Sequence, residues 1–139
     1  MTDKLTRQEV QALLDGSPFI AFCGMVCEQV WPDEDKVRIR MPMRGELERS
    51  AGTGQYHGGP IASLIDVAGD FAIGMALGGG VPTINFRTDY LRPATGASLV
   101  ATAWVRRAGR TVAVVDIDVH DEQDRLVAVG RGCYSAKVG

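Results

Sequence analysis

The sequence predicts an α+β fold in which a curved antiparallel sheet wraps around one long central helix. A single stretch at residues 59–77 has the length of a long helix and is apolar nearly all round, so its neighbours must surround it. Two segments of strand character precede this helix and four follow it. Because one helix cannot cover both faces of a large flat sheet, the sheet is expected to curve around the helix.

The N-terminal segment predicts a short amphipathic helix. Thr6 and Glu9 match a capping box, in which each residue satisfies a backbone N–H of the other. Gly16 and Pro18 are expected to end this helix, because glycine favours helix C-termini and proline cannot continue a helix.

The strands are predicted from alternation and from turn residues. Residues 36–42 alternate strictly between apolar and basic side chains, which is typical of a half-buried strand. The polar, glycine-containing residues 44–56 predict a loop, and the glycines at 78–80 end the long helix. The predicted strands are 24–31, 36–42, 82–91, 97–107, 111–120 and 125–136, with hairpin turns at 107–110 and 121–124.

Length and charge limit the class of protein. A chain of 139 residues predicts a single domain spanning residues 1–139. A net charge of −2 gives no electrostatic reason to expect a nucleic-acid partner. Asp3, Lys4 and Arg7 stand where a signal peptide would be apolar, so none is expected.

The apolar stretch at residues 60–77 raises the question of a membrane span. Asp66 and Asp70 lie near its middle, where a charged side chain would be costly in a bilayer. The stretch is therefore interpreted as a buried helix, and no membrane partner is expected.

The cysteines and histidines are too few for a metal site. Cys23 and Cys27 have only His57 and His120 as further nitrogen ligands, so no metal is predicted. Three cysteines, the third being Cys133, cannot pair completely. Reduced thiols and a cytoplasmic location are the expectation.

The segment at residues 56–66 carries the clearest chemical signal. Gly58 and Gly59 leave the backbone accessible, and Pro60 suits the first turn of a helix. The N–H groups at such a helix start have no internal partner and favour an oxyanion. Asp66 lies about two turns further, roughly 9–12 Å away at 1.5 Å per residue. Two subunits packed antiparallel along this helix are therefore expected to bring both groups to one atom.

These residues carry a resemblance to a known family. The His-Gly-Gly tripeptide at 57–59, the acid nine residues after the histidine and the Asp-Tyr-Leu-Arg-Pro-Ala stretch at 89–94 resemble the PaaI-type branch of the hotdog thioesterases. The resemblance covers the chain from about Phe22 to the end. It implies the hotdog fold and hydrolysis of an acyl-CoA, with coenzyme A as part of the substrate and no separate cofactor. Aromatic, short-chain and medium-chain acyl groups all stay open.

The resemblance also implies roles for residues around the helix start. Asp66 acts as general base on a water or as nucleophile on the thioester, while the Gly58 N–H polarises the thioester carbonyl. His57 shapes the turn or touches the thioester. Thr83 orients the acid or the water, since relatives carry a hydroxyl at the start of the next strand. Asp70, one turn after Asp66 on the same face, binds a polar group of the substrate or pairs with an arginine.

Coenzyme A phosphates require cations, and arginine suits phosphate through its fork of donors. Arg92, Arg107 and Arg110 stand at the positions where the resembled family binds the nucleotide, and Asn85 is expected to line the same groove. Gly59 and Asp70 complete the candidate substrate-binding residues.

One position departs from the family pattern and keeps alternatives open. Many relatives carry Asn or Gln six residues before the histidine to hold the attacking water, but here that residue is Ala51. Ser50 or Gln55 is a possible substitute. A non-catalytic acyl-CoA-binding protein therefore stays an alternative, as does a hotdog dehydratase or hydratase, although His57 is poorly placed for proton transfer to carbon.

A homodimer is expected, and a dimer of dimers stays open. We predict that the two long helices pack side by side through their small residues. These are Ala68, Gly69, Ala72, Gly74 and Ala76.

Overall fold

The computed structural model describes residues 3–139, and its order of elements is helix, helix, two strands, helix and four strands. The helices are α1 (Arg7–Gly16), α2 (Pro18–Cys23) and α3 (Gly58–Leu77). The strands are β1 (Val26–Trp31), β2 (Lys36–Pro42), β3 (Thr83–Tyr90), β4 (Ser98–Ala108), β5 (Val112–Asp121) and β6 (Leu126–Ser135).

The six strands form one antiparallel sheet in the order β1-β2-β4-β5-β6-β3. Helix α3 packs against β2, β3, β4, β5 and β6, so the sheet wraps around it, and the predicted architecture is confirmed. Strand β3 is an edge of the sheet, and it follows α3 directly in the chain. The topology therefore places the start of β3 beside the second half of α3.

Helix α3 begins one residue before its predicted start and ends at the predicted residue. His57 is its N-cap, and Gly78 closes it in the left-handed region with φ 90°. Leu64, Ile65 and Ala68 are completely buried, as expected for a helix that is apolar nearly all round. By length and composition α3 would also be able to cross a membrane, but here it is the core helix inside the sheet.

The predicted use of the small residues of α3 is wrong for four of the five, and the fifth, Ala76, is half-buried. Ala68 and Ala72 are completely buried within one protomer. A Cβ at Gly69 would overlap the Tyr134 hydroxyl, and a Cβ at Gly74 would lie 2.5 Å from the Gly79 carbonyl oxygen. These small residues therefore admit the chain's own β6 and its own loop after α3, rather than a second subunit.

Helix α2 is the element that the sequence analysis missed. Pro18 does not simply end α1, as the sequence predicts, but also occupies the first turn of α2, where its missing N–H costs nothing. Gly24 ends α2 with φ 71°, so β1 starts at residue 26 instead of 24. The remaining strands match their predicted ranges within one residue at each end.

Candidate active site

The N-terminus of α3 presents one open backbone donor. Pro60 has no N–H, and the Gly59 N–H donates to His57 Nδ1 at 2.9 Å. Among residues 3–139, no acceptor is hydrogen-bonded to the Gly58 N–H. The helix start therefore leaves the Gly58 N–H free for a ligand, and the positive end of the helix dipole lies there. His57 makes the contact that shapes the turn.

Tyr90 fixes the position of this turn. Its hydroxyl donates to the Gly58 carbonyl oxygen at 2.7 Å, which ties the end of β3 to the start of α3. A surface pocket of about 330 Å³ opens beside this contact. Its lining includes Gln55, Tyr56, Gly58, Tyr90 and Arg92. Such a volume lies within the range of small-molecule sites, so the open N–H faces a space that a ligand group can enter.

Asp66 lies two turns along α3 and is half-buried. The Thr83 hydroxyl donates to Asp66 Oδ1 at 2.8 Å, while Oδ2 has no hydrogen-bond partner within the described part of the chain. Burial raises the pKa of Asp66, and the hydroxyls of Thr83 and Tyr134 oppose this effect by favouring the carboxylate. The Tyr134 hydroxyl itself donates to the Asp66 carbonyl oxygen at 3.1 Å. Asp66 is thus an oriented carboxylate with one oxygen available and raised basicity.

Asp70 is the second acid on the same face of α3. Its Oδ1 accepts a hydrogen bond from the Val81 N–H at 2.8 Å. The pKa of Asp70 is raised to about 6, chiefly by burial; the Val81 N–H lowers it, and the neighbouring charge of Asp66 adds a smaller increase. This carboxyl is therefore engaged by the protein's own backbone.

The candidate groups share one partly exposed stripe of α3. Gly59, Ser63, Asp66 and Asp70 lie on this side, whereas the rest of the helix is mostly buried. Along the helix axis, Gly58 and Asp66 are separated by roughly 12 Å at 1.5 Å per residue. Within one protomer the open N–H and the carboxylate are therefore too far apart to act on one carbonyl group.

The three candidate arginines are divided between the two ends of the sheet. Arg92 follows the end of β3 and lines the pocket at Gly58. Arg107 and Arg110 lie at the β4–β5 hairpin, and the sheet register places this hairpin beside Thr83 at the start of β3. The length of β3 separates these ends by roughly 23 Å at 3.3 Å per residue. One protomer thus has one arginine near Gly58 and two at the Asp66 end.

Asn85 is not brought to the helix. Thr83 pairs with Tyr134, whose ring contacts α3. Asn85 pairs with Cys133, the next residue along β6, because the register is irregular between Thr83 and Asn85. Because side chains alternate along a strand, Asn85 belongs to the outer face of the sheet. The structure therefore separates Asn85 from Asp66 and Gly58.

Several residues of the site were not singled out from the sequence. Tyr134 reaches Asp66 only because β6 pairs with β3, and no local pattern reveals that register. Tyr90 belongs to the stretch 89–94 that resembles the family, but its hydrogen bond to the Gly58 carbonyl oxygen depends on the path of β3. Gln55 and Ser50 are the two suggested substitutes for the water-holding residue. Gln55 is half-buried and lines the pocket at Gly58, so it lies closer to the proposed site of the water. Ser50 lies in an exposed turn that Thr53 closes.

A larger cavity, of about 580 Å³, lies on the outer face of the sheet. Lys36, Arg38, Trp104, Asp118 and His120 are among its lining residues. Because α3 packs on the other face, this cavity does not reach Gly58 or Asp66. The smaller pocket is therefore the one that belongs to the candidate site.

Comparisons with known proteins agree with this geometry. Residues 53–128 match the family model described as "Thioesterase superfamily", which covers more than half of the chain. The chain belongs to the thioesterase superfamily. A Halobacterium salinarum protein named "Putative esterase" is 37% identical over 136 residues, covering 90% of this chain and 88% of its own length.

Two further members place the chain within the superfamily. The acyl-coenzyme A thioesterase PaaI of Escherichia coli is 40% identical over 80 residues, and the chain spans about half (54%) of that relative's length. A solved thioesterase-superfamily protein superimposes with a TM-score of 0.86 at 32% identity, covering 93% of this chain and 96% of the other. The hotdog fold and the PaaI-type resemblance are thereby confirmed.

Proposed function

We propose that this protein hydrolyses an acyl-CoA thioester. The observation that carries the proposal is the pair of groups on one stripe of α3, the free Gly58 N–H and the Asp66 carboxylate held by Thr83. Membership of the thioesterase superfamily and the similarity to PaaI support the same reaction.

The two groups supply the two needs of thioester hydrolysis. The Gly58 N–H binds the carbonyl oxygen and stabilises the negative charge that develops there. Asp66 Oδ2 takes a proton from water, the water oxygen attacks the carbonyl carbon, and a tetrahedral oxyanion forms. Collapse of this intermediate breaks the carbon–sulfur bond, and the thiolate of coenzyme A leaves and takes up a proton. In a second version Asp66 itself attacks, and water then hydrolyses the resulting anhydride.

We propose that each site is built by two subunits packed antiparallel along α3. The roughly 12 Å between Gly58 and Asp66 along one helix supports a site shared between two subunits, because one carbonyl group cannot reach both groups at that separation. In an antiparallel pair, Asp66 of one copy lies beside Gly58 of the other. The same arrangement brings Arg92 of one copy to the end that carries Arg107 and Arg110 of the other. These arginines then bind the coenzyme A phosphates through charge-assisted hydrogen bonds.

A panel of acyl-CoA thioesters tests the reaction. Aromatic, short-chain and medium-chain acyl-CoA substrates are incubated with the protein, and release of free coenzyme A thiol is recorded. At least one substrate is expected to be hydrolysed, and the preferred one identifies the acyl group. Saturable binding of acyl-CoA without release of thiol from any substrate would replace the enzyme with an acyl-CoA-binding protein.

Subunit complementation tests the shared site. A Gly58→Ala subunit and an Asp66→Asn subunit are each expected to form weakly active homodimers. In a hybrid, one of the two sites receives an intact Gly58 from one chain and an intact Asp66 from the other, so random mixing restores about a quarter of wild-type activity. Activity that stays at the average of the two homodimers would place the whole site in one subunit.

A further inference from the structure

The loop between α3 and β3, residues 78–82, returns along the helix that it has just left. Three contacts, one per helical turn, fasten it there. The Gly79 N–H donates to the Gly74 carbonyl oxygen at 3.0 Å, and the Val81 N–H donates to Asp70 Oδ1 at 2.8 Å. The Thr83 hydroxyl donates to Asp66 Oδ1 at 2.8 Å. Residues 66, 70 and 74 are four apart, so these contacts lie in one row along α3.

Within the described part of the chain, the bond from the Val81 N–H to Asp70 Oδ1 is the one hydrogen bond between a side chain and residues 78–82. The contact of Gly79 joins two backbone groups, so it does not depend on a particular side chain. Thr83 follows the loop, and its position decides whether its hydroxyl reaches Asp66. Asp70 thus holds the backbone two residues before Thr83. Val81 is buried, and Ser135 N–H donates to the Pro82 carbonyl oxygen at 2.8 Å from the β6 side.

We propose that Asp70 is a positioning residue that, through the Val81 N–H, fixes residues 78–82 so that the Thr83 hydroxyl is directed at Asp66. The role rests on the proposed thioester hydrolysis for its kinetic readout alone. In this role the Asp70 carboxylate binds a backbone N–H of the protein instead of a polar group of the substrate.

Two kinds of substitution separate the acceptor of Asp70 from its charge. Asp70→Asn keeps an oxygen that accepts from the Val81 N–H, whereas Asp70→Ala removes it. Thr83→Val removes the hydroxyl that Asp70 is proposed to position. Asp118→Ala, on the outer face of the sheet, is a matched control for loss of an acid away from the site.

The first measurement needs no substrate. The carboxyl carbon of Asp66 is followed by NMR as the pH is varied, in the wild type and in each variant. Because the Thr83 hydroxyl favours the carboxylate, its loss raises the pKa of Asp66. Asp70→Ala also removes a neighbouring negative charge that favours protonation of Asp66, so it is compared with Asp70→Asn, which removes the same charge but keeps the acceptor. Relative to Asp70→Asn, Asp70→Ala is expected to raise the pKa of Asp66, and this difference is expected to vanish in the Thr83→Val background. The charged and titratable groups near Asp70 are Asp66 on α3 and Tyr134 on β6, and both stay in every variant.

The second measurement uses the best acyl-CoA substrate. Asp70→Ala is expected to lower kcat about tenfold with little change in KM, as loss of one orienting hydrogen bond does, and Asp70→Asn is expected to recover most of it. In the Thr83→Val background, Asp70→Ala is expected to have no further effect, because neighbours that act through one contact are not additive.

Three results would overturn the proposal: an Asp66 pKa in Asp70→Ala no higher than in Asp70→Asn, additive losses in the double variant, or a rise in KM instead of a fall in kcat. Absence of hydrolysis by the wild type would refute the proposed function, while the NMR titration would still decide the role of Asp70. If Asp70→Ala does not fold, Asp70→Leu takes its place, because leucine fills the space without an acceptor.

Discussion

The two ends of the exposed stripe of α3 are built in different ways. At the Gly58 end the working group is a backbone N–H, placed by the turn itself and open to a pocket. At the Asp66 end it is a side chain, half-buried and held by residues from β3 and the loop before it. The free N–H of the first end follows from a few consecutive residues, and Tyr90 of β3 adds one contact that fixes the turn, whereas the second end requires the whole fold around it. Substitutions at the two ends should therefore differ in size and in kind.

The largest effect is expected at the Asp66 end. Asp66→Asn keeps the shape of the side chain but removes the carboxylate, so kcat is expected to fall at least about 10²-fold, the lower range for loss of general-base catalysis. Thiol release is compared with the wild type, and circular dichroism and sedimentation serve as controls of fold and assembly. Near-normal turnover in a folded variant would remove Asp66 from the mechanism.

A smaller effect is expected from crowding the Gly58 end. The Cβ of Gly58→Ala would lie 3.2 Å from the Tyr90 hydroxyl oxygen, so the turn or Tyr90 must shift. We expect kcat to fall about tenfold, less than the 10²-fold or more found when an oxyanion donor is removed outright.

Two matched variants make the Gly58 comparison specific. Tyr90→Phe removes the crowding hydroxyl together with its hydrogen bond to Gly58, so Gly58→Ala is expected to cost less kcat in the Tyr90→Phe background than in the wild type. Gly59→Ala brings its Cβ to a similar distance, 3.3 Å, from His57 Nδ1. Because the Gly59 N–H already donates to His57 and is not free for a ligand, this variant is expected to lose less kcat. Equal losses in Gly58→Ala and Gly59→Ala would show that the turn's shape matters and not its free N–H.

The arginines test whether the two ends meet in a dimer. Each of Arg92, Arg107 and Arg110 is replaced by Ala, and an acyl-CoA is compared with the same acyl group on a short pantetheine-like thiol. Because the nucleotide end does not react, KM for the CoA substrate is expected to rise about threefold to tenfold with little change in kcat. The truncated substrate should be nearly unaffected. If Arg107 and Arg110 matter and Arg92 does not, the antiparallel arrangement is wrong; equal losses on both substrates would make the arginines structural.

The smallest effect concerns stability at the Asp66 end. Burial and the Asp66 charge raise the pKa of Asp70 from 3.8 to about 6, so between these pH values the folded protein holds more protons than the unfolded chain. The free energy of unfolding therefore falls as the pH rises from about 4 to about 6. A fully buried carboxyl would lose about 3 kcal/mol over this range, and this half-buried one is expected to lose about 1 kcal/mol.

Asp70→Asn removes this pH dependence. Urea unfolding at pH 4 and pH 7 is expected to show the variant gaining stability relative to the wild type at the higher pH. The opposite trend would indicate a cation beside Asp70, such as an arginine of a second subunit, that favours the ionised form.

The sequence was a good guide wherever the signal is local. The capping box at Thr6, the alternation at residues 36–42 and the His-Gly-Gly turn at 57–59 each depend on neighbours in the chain, and each is present. The interactions that complete the site depend on strand register and on the return of the chain along α3. Tyr134 on Asp66, Val81 on Asp70 and the outward side of Asn85 are therefore seen only in the fold.

The contacts that hold residues 78–82 against α3 limit where the chain can accept insertions and deletions. Consecutive side chains of a strand point to opposite faces, so one residue inserted before Thr83 would turn every side chain of β3 over. The inserted residue would then take the place beside Asp66, and the hydroxyl that now meets Asp66 would be displaced from it. The loop at residues 50–54, exposed and followed by its own turn, carries no such constraint. Insertions and deletions in members with this site should therefore accumulate before α3 and be absent between α3 and β3.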